Sequence, residues 1–494
     1  MSTSAINPLS SMTDALASSS SGSGTTSTSS SGTSTTTGTG LGQGINVQQF
    51  VQYAVANQQA TITNLQSQEA TLATQTSELS TIGSDFTNLQ NAVNALSDPL
   101  GALAAQAATT SDSGVVSGTA GSSAAAGTHS IIVSALATTS SAYSDEIPAS
   151  NTALTGSLTI SVGGATGVSV PIDASDNTTT LTGLVSYINS HPNLGVTASV
   201  VQDANGTRLA LVSNTSGLPG NLNVTGTLNY TDSSGNTHTA NFNPGISGSD
   251  ARLWVDGIPV QSASNTVSNI IPGVTLTLNG TSAGANPSNT TTPTGTPTTL
   301  SVSPDTSQIT NAITSFVNAY NAVTTEINNQ FNVTSTSSGG PLENDDTLRQ
   351  VQSMLLNAVS YSMTGNNGIV NLASMGINMN DDGTLTVDNN ALSAALSTNA
   401  SAVQNFFQNA SSGFAQQLNN AIQTINAPAT GLLSLDSQGF QSTATDLNQQ
   451  ITDLQAALTV QEQNFTALYS QVNTTLQELP MLENQLTQQL AGIA

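Results

Sequence analysis

The sequence contains no cysteine and no lysine, and each absence excludes a set of functions. Without cysteine there are no disulfides, no thiolate nucleophile and no cysteine-ligated metal. Without lysine there is no phosphate-binding P-loop and no Schiff-base chemistry. Arg208, Arg252 and Arg349 stand against 28 acidic residues, so the net charge is −25. This balance argues against binding to nucleic acid or anionic lipid, since both need clustered basic side chains.

Long apolar runs are also missing from the chain. Nowhere do 18 apolar residues follow one another, so no membrane insertion is expected. The first residues, MSTSAINPLSSMTDALASSSSGSG, have neither a basic segment nor an apolar one, which predicts export without a cleaved signal peptide or no export at all. At 494 residues the chain exceeds one ordinary domain, and we expect three or four units.

The residue pattern changes along the chain from helical to β-rich and back. Residues 1–44 are dominated by Ser, Thr and Gly and predict a disordered leader. A long amphipathic helix follows, ended by Asp98, Pro99 and Gly101. Between 111 and 300, β-branched residues alternate with polar ones around one short helical stretch, which predicts an α+β middle. Helical patterning then returns and continues to the C-terminus.

Both helical ends carry apolar residues at a seven-residue period. We predict that these residues form a contact seam with other chains, because ordering a lone helix costs about 1–2 kcal/mol of backbone entropy for each residue. The alternative is a helical hairpin packed within one subunit, which is the favoured interpretation for the inner ends. Pro480 predicts a kink or a break in the last helix. The predicted contact seam consists of Leu65, Leu72, Leu79, Phe86, Val93, Ile451, Leu458, Phe465, Leu468, Val472, Leu479 and Leu486.

Candidate chemical sites are few, and each has a structural interpretation that we favour. His129, His191 and His238 are far apart in sequence and indicate no shared site. Residues 378–389 faintly resemble a Ca²⁺ loop, but an asparagine occupies the position of the bidentate glutamate, so a hairpin turn is favoured. The acidic stretch 343–346 precedes a helix and predicts capping. We therefore expect no catalytic residue, no metal site and no cofactor.

Two further local signals concern the β-rich middle. The dipeptide Asn205-Gly206 between two alternating runs predicts a hairpin. Trp254, the one tryptophan, is expected to anchor a core, with contact to a neighbouring subunit as the alternative.

Taken in order, several segments resemble the flagellar hook-associated protein 2 family, the filament capping proteins. The resemblance begins at GLGQGINVQQFVQYAV and continues through SDSGVVSGTAGSSAAAGTHSIIVSALA. Its most similar segment is DARLWVDGIPVQSASNTVSNIIPGVTLTLNG, followed by FVNAYNAV, GPLENDDTLRQVQ and MGINMNDDGTLTVDNNALSAAL. The sequence departs from the family's pattern in four features: the long leader, His129 where tyrosine is commoner, the missing lysine and Pro480.

The resemblance implies a multidomain α+β protein with a coiled-coil leg built from both chain ends and β-rich head domains inserted between them. It divides the chain into a leader (1–44), an N-terminal leg helix (45–110), a discontinuous head domain (111–150 and 246–300), a distal head domain (151–245), a helical leg domain (301–435) and a C-terminal coiled-coil helix (436–494).

The function implied is an extracellular cap at the distal end of the bacterial flagellar filament. Such a cap helps exported flagellin to fold and insert, and prevents its loss. The implied partners are other copies of the chain in a ring, flagellin, the hook–filament junction proteins and a flagellar export chaperone. The alternative from another class is an adhesin that binds a surface or host glycan through the β-rich head.

Overall fold

The computed structural model describes residues 47–491 apart from 233, 290 and 333–338. The predicted leader over 1–44 lies outside the described residues. Seven α-helices occur in the described part of the chain: α1 Val47–Ser97, α2 Leu181–Ser190, α3 Thr306–Phe331, α4 Asp346–Val359, α5 Asn389–Gln408, α6 Phe414–Asn426 and α7 Leu432–Ala491. None of these helices is apolar enough over a membrane-spanning length to cross a bilayer.

The same residues form eighteen strands, all paired antiparallel. In the first half of the chain they are β1 Gln106–Thr110, β2 Val116–Ala120, β3 Gly127–Ala135, β4 Thr139–Ser144, β5 Leu154–Val162, β6 Val168–Val170, β7 Val196–Gln202, β8 Thr207–Ser216 and β9 Leu222–Thr231. In the second half they are β10 Thr237–Ala240, β11 Phe242–Pro244, β12 Ala251–Val255, β13 Ile258–Ser262, β14 Thr266–Ser268, β15 Val274–Leu278, β16 Thr298–Pro304, β17 Ile377–Met379 and β18 Leu385–Val387.

The chain divides into two compact units. One comprises residues up to 67 together with 448 onward, and the other comprises residues 68–447. The first unit is helical in its described part, formed by the start of α1 and most of α7. The second unit contains three hydrophobic cores, one helical and two β-rich.

The helical core of the second unit forms around α3. Asp305 starts this helix by accepting hydrogen bonds from the backbone N–H groups of Ser307 (3.1 Å) and Gln308 (3.0 Å). Apolar residues then recur every three or four positions and turn one face of the helix inward. Those buried are Ile309, Ile313, Phe316, Val317, Tyr320, Val323 and Ile327. The inner half of α1, helices α4–α6 and the β17–β18 hairpin cover this face.

The first β-rich core lies between a five-stranded sheet, ordered β1-β16-β3-β12-β13, and a three-stranded sheet, ordered β14-β15-β2. Trp254 on β12 is buried, as predicted, although it is not one of the residues of this core. Because β1 belongs to this sheet, the predicted N-terminal leg segment 45–110 is too long. The helix ends at Ser97, and Asp98 then accepts a hydrogen bond from the N–H of Leu100 (3.0 Å).

The second β-rich core is an insert between β3 and β12. Two four-stranded sheets, β10-β9-β5-β6 and β11-β4-β8-β7, enclose it together with α2. Strand β4 pairs with β8 and β11, so the insert begins near Thr139 and not at residue 151 as predicted. The predicted boundary was wrong because long-range pairing decides which sheet a strand joins.

The turns predicted from the sequence agree with the structure better than the predicted domain boundaries do. The hairpin predicted at Asn205-Gly206 is confirmed, since Gln202 of β7 pairs with Thr207 of β8. The hairpin favoured over a Ca²⁺ loop is confirmed by the pairing of β17 with β18. The break predicted at Pro480 is wrong, because α7 continues through this residue. One proline removes only one backbone hydrogen bond from a long helix.

We expect Gly183→Ala to destabilise the insert, although alanine is the better helix former. A Cβ atom at Gly183 in α2 would lie 1.8 Å from the carbonyl oxygen of Asn177, so backbone must move. The matched control is Gly439→Ala in α7, where a Cβ meets nothing within 4 Å and which should stabilise by up to about 1 kcal/mol. Denaturant unfolding followed by circular dichroism measures both changes; equal effects would contradict the steric argument.

Candidate functional site

The two chain ends pack on each other within the first unit. Val55 and Ile62 of α1 form a small buried cluster with Ile451 and Leu458 of α7. Leu65, Leu454 and Phe465 lie partly buried against this cluster. The seven-residue period therefore serves an internal helix pair over this part of the predicted contact seam.

Farther along α7 the apolar row is exposed. Leu468, Val472, Leu479 and Leu486 are 54%, 39%, 46% and 59% exposed, and we name these four residues the exposed row. Steps of four and seven residues keep them on one side of the helix. Met481 and Leu482 beside them are also exposed. Exposed apolar patches commonly mark interaction surfaces, which makes the exposed row the candidate contact surface of this chain.

The remaining residues of the predicted contact seam are already covered by the chain itself. Leu79, Phe86 and Val93 are buried in the helical core of the second unit, and Leu72 is half-buried. These side chains are not available to other chains, so the contact role predicted for Leu79, Phe86 and Val93 is corrected to internal packing. The hairpin interpretation for the inner ends describes them correctly.

The histidines have separate local partners. Nδ1 of His129 lies 2.8 Å from Oδ2 of Asp256, and Nε2 of His238 lies 2.8 Å from Oδ2 of Asp232. The hydrogen bond with His238, together with hydrogen bonds that Asp232 accepts from backbone N–H groups, lowers the pKa of Asp232 to about 2. His191 stacks on Tyr187 with ring centroids 4.0 Å apart. Within the described residues no group of three or more metal-ligating side chains comes together.

The acidic stretches act as helix caps. Asp345 accepts a hydrogen bond from the N–H of Leu348 (2.8 Å) at the start of α4, as predicted for the stretch 343–346. Asp388 does the same for Asn390 (2.9 Å) and Ala391 (3.1 Å) at the start of α5. Their carboxylates therefore stabilise helix N-termini.

Two family models with the same protein name match the chain in order. The model of the flagellar hook-associated protein 2 N-terminus matches residues 43–140, and that of its C-terminus matches residues 248–480. Together they cover about two thirds of the chain. Between them, the flagellin hook IN motif matches residues 157–215, inside the insert.

Curated relatives and a solved structure agree with these models. The chain is 28% identical to the B-type flagellar hook-associated protein 2 of Pseudomonas aeruginosa, covering 82% of this chain and 88% of the relative. It is 27% identical to flagellar hook-associated protein 2 of Escherichia coli K12, covering 90% and 96%.

The crystal structure of the D1-D2-D3 domains of the flagellar cap protein FliD from Escherichia coli aligns with a TM-score of 0.54 at 27% identity. It covers 74% of this chain and 99% of that chain. The terminal helices, the β-rich domains between them and the ordered family matches lead to one conclusion: this chain belongs to the flagellar hook-associated protein 2 family.

Proposed function

We propose that this chain is a structural cap at the distal end of a bacterial flagellar filament. It promotes the folding and insertion of exported flagellin and prevents flagellin from escaping. The observation that carries the proposal is the ordered match to both ends of the family, supported by a solved relative described as a flagellar cap protein. The family's role is structural, and we assign no catalytic residue to the chain. The comparisons do not favour the alternative of a glycan-binding adhesin.

The exposed row is the surface that we assign to assembly. Fully burying an exposed leucine or valine side chain gains roughly 1.5–3 kcal/mol, so a partner that covers these half-exposed side chains gains about half of that for each one. We propose that other copies of the chain, arranged in a ring, and flagellin subunits cover it. Opposite-charge pairs, which often fix the register of coiled coils, are scarce here, because the chain has 28 acidic residues but only three arginines and no lysine. Shape and polar interruptions at Gln461, Thr475 and Gln489 then set the register.

Further partners and the location are part of the same proposal. We propose that the protein acts outside the cell at the flagellar tip, and that it leaves through the flagellar export channel without a cleaved signal peptide. An export chaperone holds the chain before export, and the hook–filament junction proteins receive the first cap. In this scheme α1 and α7 belong to the leg, and the two β-rich cores belong to the head.

The test is deletion of the gene in its own bacterium, followed by re-expression of the chain. We expect the deletion strain to release flagellin into the medium and to carry few or no filaments, because nothing retains the subunits at the tip. Re-expression should restore filaments, counted by electron microscopy, with secreted flagellin measured by immunoblot. Normal filaments in the deletion strain would refute the capping function.

A further inference from the structure

The exposed row lies on the part of α7 that follows the packed pair of chain ends. Leu458 is the last residue of α7 in the buried cluster, and Phe465 is partly buried against that cluster. The four residues of the exposed row come after Phe465 and are all exposed. From Leu468 to Leu486 the row is about 27 Å long, at 1.5 Å for each helical residue. It therefore has room for a short apolar segment laid along the helix.

A segment with a matching pattern occurs in the sequence before α1, outside the described residues. Its larger apolar residues recur at steps of three and four and so share one side of a helix: Leu9, Met12 and Leu16. Asp14 falls on the opposite side. Asn7 and Pro8 are residue types favoured at an N-cap and at the first position of a helix. Residues 8–16, which we name the leader segment, are too few for a helix that is stable alone, so the pattern indicates a segment that needs another surface.

The connection between the leader segment and α1 is long enough to reach the exposed row. Residues 17–46 consist mainly of Ser, Thr and Gly, and a chain of this composition and length has a root-mean-square span of roughly 30 Å. Val47 lies about 12 Å along α1 from Val55, which packs with Leu458, and Leu468 lies about 15 Å beyond Leu458. With roughly 10 Å between the helix axes, the row begins within roughly 40 Å of Val47. At such a span the effective concentration of a tethered segment is about millimolar, so even a weak contact is populated.

Charge favours the leader segment over a second copy of α7 as the occupant. Asp14 is the one charged side chain in residues 1–46. Helix α7 has no basic residue, and it carries Glu478 and Glu483 beside the exposed row. Two copies of α7 laid together would bring these carboxylates close to one another, which is unfavourable. The leader segment adds one carboxylate only, on the side that faces away from the contact.

We propose that the leader segment docks on the exposed row of the same chain before assembly, with Leu9, Met12 and Leu16 against the apolar side of α7. The contact covers the apolar row while the chain is unassembled. It does not depend on the capping function. The consequence that assembly partners must displace the segment does rest on that proposed function.

The absence of cysteine permits a direct crosslinking test on the whole chain. Thr13→Cys places a thiol beside the apolar side of the leader segment, and Thr475→Cys places one on α7 between Val472 and Leu479. In dilute protein under a mild oxidant, these two thiols should form a disulfide within one chain, measured by loss of free thiol and by non-reducing electrophoresis. Adding serine at positions 9, 12 and 16 should slow this reaction about tenfold, because the tether stays and only the contact is lost.

A matched control changes three polar residues on the opposite side of the same segment. The double-cysteine chain with Ser10→Gln, Ser11→Gln and Asp14→Asn should keep its rate within about twofold, because the apolar side chains remain. Equal rates with and without the three serines would overturn the contact. Disulfide-linked dimers in place of the internal disulfide would also overturn it, since a second copy would then cover the row. The assay contains no flagellin, so its failure leaves the capping function untouched.

Discussion

Replacing the exposed row, Leu468, Val472, Leu479 and Leu486, with serine is expected to abolish filament capping. These side chains are half-exposed in the single chain, so their loss costs little stability there. If partners cover these half-exposed side chains in the cap, each contributes about half the free energy of full burial, and removing all four should weaken association by on the order of 3–6 kcal/mol. Cells that carry this variant should secrete flagellin without building filaments.

A control with the same number of changes separates apolar contact from general damage to the helix. Gln463, Gln471, Gln477 and Gln488 are exposed on α7 and can be changed to serine together. This variant should build normal filaments, because it loses no apolar surface. Purified wild type and control should associate in analytical ultracentrifugation, whereas the exposed-row variant should remain monomeric. Filaments from the exposed-row variant would disprove the assignment of this surface.

Replacing Phe414 with alanine should destabilise the helical core by about 3–5 kcal/mol. Phe414 begins α6 and is fully buried. Its ring lies 5.6 Å from that of Phe316, 5.5 Å from that of Phe406 and 5.6 Å from that of Phe407. Alanine therefore loses the burial of one ring, leaves a cavity and removes three aromatic contacts.

Urea unfolding followed by circular dichroism at the helical band measures this loss. The fluorescence of Trp254, which is buried on β12, reports the five-stranded sheet in the same samples and should shift less. Leu435→Ala is the surface control, since this side chain is 53% exposed and its removal should change stability by less than about 0.5 kcal/mol. An unchanged helical transition in Phe414→Ala would show that the aromatic cluster does not hold this core together.

Local features could be predicted because their causes are local. The hairpin at Asn205-Gly206 and the end of α1 after Ser97 depend on a few neighbouring residues. The cap at Asp345 likewise depends on residues within one turn. The boundary of the insert could not be predicted in this way, because β4 joins β8 and β11 across long stretches of chain.

The residue pattern alone predicts amphipathic helices with a seven-residue apolar period at both ends and a β-rich middle, and the structure has both. It could not determine which residues of the period are covered. Phe86 and Leu468 belong to similar patterns, yet the first is fully buried and the second is 54% exposed. The difference comes from packing, because burial depends on whether other elements of the fold reach that stretch of helix. Periodicity specifies only which side of the helix is apolar.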